Sequence, residues 1–95
     1  MPQSFEWDDG KAEANASKHG VTFNLATLVF GDPAKITRTD ERFDYDEERS
    51  ITTGTIYGIL HVVVHTDRGD SIRIISARRA TRQERRAYGN DPDHG

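Results

Sequence analysis

Apolar and polar positions alternate from the start of the chain. Phe5-Glu6-Trp7 reads as a short strand or edge segment. Asp8 or Asp9 then predicts an N-cap for a helix over Lys11–Lys18, because a carboxylate accepts from first-turn amides and suits the positive helix end. Gly20 fits the stop, since glycine enters the left-handed C-terminal cap most easily. Thr22 predicts a second cap, with Phe23, Ala26, Leu28, Val29 and Phe30 as the apolar face of a helix ended by Gly31-Asp32-Pro33.

From there the pattern turns to sheet. Ile36–Arg38 is a weak strand, and the acidic run Asp40–Glu48 reads as a loop or hairpin rim. Arg49–Tyr57, rich in Ile, Thr and Tyr, predicts a strand, and Tyr57-Gly58 a turn into the apolar Ile59–Thr66. Asp67-Arg68-Gly69-Asp70 signals a hairpin into a strand over Ser71–Ala77. Thr81 and Glu84 have the spacing of a capping box, whose helix offers only Ala87 and Tyr88 for burial. The expected fold class is α+β: β-α-α, three or four antiparallel strands, and a C-terminal helix. One domain over residues 1–88 and a tail over 89–95 are expected.

Composition narrows the chemistry. With no cysteine in 95 residues, disulfides, thiol nucleophiles and thiolate metal sites are excluded. No apolar run approaches the ~18 residues of a membrane span, and the first residues lack a signal-peptide layout, so a cytoplasmic protein is expected. Net charge is −3, yet residues 68–86 hold seven arginines against two acids. Such a concentration of positive charge is the footprint of a phosphate-bearing partner.

Candidate residues follow from that footprint. Arg73 lies inside a strand between isoleucines, and simple alternation puts it on the side of Ile75 and Ala77. Arg78 and Arg79 end the strand, where adjacent side chains diverge and only one points into a given cleft. A guanidinium fork matches phosphate oxygens and stays charged at any relevant pH; the competing reading is an ion pair with Glu48 or Asp70. Arg68, Arg82, Arg85 and Arg86 read as a solvated surface or a docking surface for RNA or an acidic partner. Glu48-Arg49 is either an edge-strand charge pair or a base beside a phosphate clamp. His61 and His65 share a strand face about 13 Å apart, too far to hold one metal, and read as polar residues on a half-exposed face; His65 alone remains a proton-transfer candidate. Lys18 and His19 offset the negative helix end or project toward substrate. Trp7 and Tyr88 read first as core or lid residues and second as stacking platforms. No metal-ligand spacing appears, and no cofactor is expected.

The segments FEWDDGKAEANASKHGVTF (Phe5–Phe23), FGDP (Phe30–Pro33), Glu48-Arg49, VVVHTDRGD (Val62–Asp70) and IRIISARRATRQERRAY (Ile72–Tyr88) together resemble the BrnT toxin family. They lie in the family's order and span nearly the whole chain. Thr53 departs from the family's usual apolar residue before Gly54, and Ala34–Glu47 carries no family motif. The resemblance implies a RelE-like ribonuclease fold and a type II toxin that arrests growth. It implies neutralisation by a DNA-binding BrnA antitoxin, a dimer of heterodimers, and contact with operator DNA only through the antitoxin. The expected chemistry is metal-independent RNA cleavage through the 2′-hydroxyl. Arg73 and Arg78 would clamp the phosphate with Arg49 in support, and Glu48 or His65, then Lys18 or His19, would move protons. The rival readings are a non-enzymatic interaction module and an inactive, antitoxin-binding co-repressor.

Overall fold

Local chemistry starts each helix where the sequence predicts. The computed structural model describes residues 4–40 and 48–89. After a three-residue strand β1 (Ser4–Glu6), the Asp8 side chain accepts from the Lys11 amide at 2.9 Å and opens α1 (Asp9–His19), which Gly20 closes at φ 71°. The Thr22 side chain accepts from the Leu25 amide and opens α2 (Phe23–Ala26). Beyond Ala26 the chain tightens into a 3₁₀ turn over Thr27–Gly31. That change of period turns Leu28 outward, 44% exposed, against its expected place on the apolar face.

The sheet is larger than expected, with five strands in a mixed arrangement. β2 (Ile36–Thr39), β3 (Ser50–Ile56), β4 (Ile59–Arg68) and β5 (Ser71–Arg79) pair antiparallel in sequence order, and β1 adds to β5 in parallel, giving the order β1-β5-β4-β3-β2. β4 runs two residues further than predicted, so the hairpin turn shrinks to Gly69-Asp70. The predicted rim falls mostly outside the described residues; Asp40, at its start, is buried. α3 (Arg82–Tyr88) carries the expected capping box between Thr81 and Glu84.

Both sheet faces are covered, by different means. On one, Val21, Phe23, Ala26 and Val29 pack on Val63, Ile72, Ile74 and Ala77. The 3₁₀ turn sits so close to β3 that a Cβ on Gly54 would meet Val29 Cγ2 at 2.9 Å, which explains the glycine. On the other face a smaller cluster of Ile51, Leu60, Val62 and Ala80 is covered in part by Tyr88. His61 and His65 point to the first face and are each only 3% exposed, which corrects the expected half-exposed setting. β4 is buried on both sides, so polarity does not report which of its residues meet water.

Asn15 joins α1 to the sheet. β1 reaches only as far as Arg73, leaving the outer edge of β5 unpaired beyond it. There the buried Asn15 amide donates to the Ala77 carbonyl at 2.7 Å and to the Val21 carbonyl at 2.9 Å. Its oxygen accepts from the Ala77 amide at 3.1 Å. One side chain thus stands in for a strand at the point where the edge is buried.

Candidate functional site

The most consequential detail is one extra residue in β5. Val64 pairs with Ser76 and His65 with Ile74, so Ile75 has no partner and the strand bulges. Simple alternation would put Arg73 with Ala77 and leave Arg78 on the opposite side. The bulge resets the parity: Ile72, Ile74 and Ala77 face the core, while Arg73, Ser76 and Arg78 share the other face. Their partners Thr66, Val64 and Val62 lie on that face of β4, so the Arg73 and Arg78 α-carbons stand about 13 Å apart.

Two further arginines join them. Arg38 pairs with Ile51, and Arg49 precedes β3 by one residue; alternation puts both on the Ile51 side. The Thr66 hydroxyl donates to the Glu48 carbonyl at 3.0 Å, fixing the entrance to β3 beside β4. Arg49 and Arg73 are therefore separated by two strand spacings, about 10 Å. Arg38 was absent from the expected set, although its position in Thr37-Arg38-Thr39 places it by the same alternation.

Carboxylates hold Arg73 and Arg78 in place, and they are not the expected ones. Arg73 Nη1 donates to Glu6 Oε2 at 3.0 Å, and Arg68 Nη1 lies 4.0 Å from the same oxygen. Two guanidiniums converge on one carboxylate oxygen there. Arg78 donates to both oxygens of Glu84 at 2.7 and 2.9 Å and to the Arg79 carbonyl at 3.2 Å. These bonds from Arg78, with those of the capping box, hold the Glu84 carboxyl down at about 2. Arg78 thus bolts α3 to the end of β5. The expected partners Glu48 and Asp70 hold neither Arg73 nor Arg78.

That pair has a pH signature. The Glu84 value is depressed in the folded state, so its contribution is present above about 4.5 and is lost as pH falls through about 2. Because the side chain is 34% exposed, screening reduces the contribution to about 1 kcal/mol or less. Urea midpoints are expected to drop more steeply between pH 5 and 2.5 in the wild type than in Glu84→Gln. Equal slopes would show that the pair contributes nothing.

Other candidates lie elsewhere. His65 is on the helix-covered face, with Nε2 2.7 Å from Thr52 Oγ1, Nδ1 3.5 Å from Asp67 Oδ1, and its ring edge-on to Phe30. Burial lowers its pKa, against an opposing pull from Asp67, so the ring is neutral at neutral pH. The sheet lies between His65 and the arginines, and it cannot move a proton at their site. His61 is held by the Ile59 carbonyl on the same covered face. Trp7 stacks edge-on with Phe23 at 6.0 Å, and Tyr88 donates to the Ala34 carbonyl at 2.7 Å. Glu48 is exposed at the mouth of β3. Arg79 is exposed beside His61, away from Arg78, as divergence of neighbours requires. On α3, Arg82 and Arg86 are exposed, and Arg85 donates to the Ala80 carbonyl at 3.3 Å. Lys18 and His19 are exposed at the end of α1, beside Ile75 and Ser76.

The chain is thus a small α+β domain whose sheet carries Arg38, Arg49, Arg73 and Arg78 on one face. The family model for the ribonuclease toxin BrnT of type II toxin–antitoxin systems matches residues 7–84, and the chain belongs to that family. No curated protein matches the chain. A type II toxin implies a protein antitoxin. Among the described residues, no helix is long and apolar enough to cross a membrane.

Proposed function

We propose that the chain is an endoribonuclease of RelE-like fold that cuts RNA on the face shared by Arg38, Arg49, Arg73 and Arg78. The observation that carries this reading is the β5 bulge, which moves Arg73 onto the face of Arg78 and opposite Arg49. Attack by a 2′-hydroxyl on the adjoining phosphate needs a base, and it adds negative charge to the phosphorus oxygens. Guanidiniums fixed in advance by Glu6 and by the sheet stabilise that charge without reorganising. Arg73, with Arg49 across β4, is the clamp; Arg78, committed to Glu84, positions α3. The proton acceptor comes from the rim carboxylates, Glu48 beside Arg49 or Glu6 beside Arg73.

A BrnA-like, DNA-binding antitoxin neutralises the toxin in a dimer of heterodimers, and it alone contacts operator DNA. The exposed α3 arginines favour docking of an acidic partner there, which also supports a second reading in which the chain serves as a non-catalytic co-repressor. Purified, antitoxin-free protein in chelator decides between them. Cleavage of a short RNA is expected, and a single 2′-deoxy substitution at the cut position is expected to abolish it. Equal cutting of the deoxy substrate would overturn the mechanism, and no cutting of RNA would favour the co-repressor.

A further inference from the structure

Beside the arginine face, α1 and the β5 bulge flank an open cationic cleft of about 240 Å³. Lys11, Lys18 and His19 line it with Asn15, Ile75 and Ser76, and no carboxylate among the described residues does. Lys11, Ala14 and Lys18 fall on one side of α1, since residues three, four and seven apart share a helix face. The small Ala14 between the lysines leaves the cleft open. Attraction to the negative helix end accounts for Lys18 and His19, but Lys11 sits in the first turn, where the dipole disfavours a cation. A ligand explains all three.

We propose that this cleft is a subsite for a second phosphate of the RNA strand, next to the one held by Arg73. The inference rests on RNA being the substrate of the arginine face. Ser76 joins the two places: it lies on that face between Arg73 and Arg78, and it also lines the cleft. Its partner Val64 is two residues from Thr66, the partner of Arg73, so the step along β4 is about 7 Å. The volume is below the ~300–1,000 Å³ of pockets that enclose whole small molecules, and suits a phosphate with its water. Lysine ammonium groups hold such an anion as point charges without demanding one base. The strand therefore runs from the sheet face over the bulged edge of β5, and Lys18 and His19 hold substrate away from the chemistry.

The test is binding of a ten-residue 2′-O-methyl RNA, which cannot be cut, followed by anisotropy at several salt concentrations. The Lys11→Gln/Lys18→Gln protein is expected to bind about tenfold more weakly at low salt, with a salt slope shallower by ~0.7 for each phosphate it no longer neutralises. On cleavable RNA its KM is expected to rise by the same factor while kcat at saturation stays within about twofold. Charge reversal, Lys11→Glu/Lys18→Glu, is expected to weaken binding further. Unchanged affinity and slope in both variants would overturn the subsite and leave the arginine face standing on its own tests. Weakened antitoxin binding with RNA binding intact would also overturn it, assigning the cleft to the partner.

Discussion

Arg73→Ala is expected to cut RNA about 10²- to 10³-fold more slowly at saturating substrate, the usual cost of removing one preorganised charge from a developing anion. Its fold is expected to survive. The Arg73–Glu6 pair is partly exposed, at 30% and 38%, and such pairs contribute under about 1 kcal/mol. Arg73→Lys is expected to recover only part of the rate, because an ammonium cannot grip two phosphate oxygens with a planar fork. Glu6→Gln separates positioning from clamping: if Glu6 only orients Arg73, its loss costs less than the loss of Arg73 itself. Rates and urea midpoints measured on the same preparations check this prediction. A folded Arg73→Ala protein cutting within threefold of the wild type would remove the clamp from the mechanism.

Asn15→Ala is expected to cost as much stability as truncating a core side chain. It leaves the Ala77 amide and the Ala77 and Val21 carbonyls without the side chain that satisfies them. Each buried group left unpaired costs about 1–3 kcal/mol, so a total of at least about 3 kcal/mol is expected by urea unfolding. That is a large fraction of the ~5–15 kcal/mol typical of a domain. Asn15→Asp keeps the acceptor for the Ala77 amide but turns an oxygen toward two carbonyls, and is expected to lose nearly as much at neutral pH. A loss below about 1 kcal/mol in Asn15→Ala would show that water replaces the amide at the strand edge.

Much of the fold was legible because its punctuation is local. Asp8, Thr22 and Thr81 cap helices through residues three positions away, and Gly20 closes a helix by its own conformational freedom. Cross-sheet relations were not. The Arg73–Glu6 pair joins residues 67 apart, and nothing in Ser4–Glu6 announces that this strand pairs in parallel with β5. The arginines stood out by density, but their common face depends on the unpaired Ile75, which resembles every other isoleucine in an apolar run. The histidines misled for a related reason. Their polarity suggested exposure, whereas α2 and the 3₁₀ turn cover the face to which His65 points, and Thr52 satisfies its Nε2.

Whether RNA lies on the bulge-defined face is tested most directly by the NMR signals of the arginine side chains. Titrating the protein with non-cleavable 2′-O-methyl RNA is expected to move the Nε–Hε resonances of Arg38, Arg49 and Arg73 most. Those of Arg82 and Arg86 on α3 are expected to move little. Shifts confined to the α3 arginines, with Arg49 and Arg73 unmoved at saturation, would contradict RNA binding on that face.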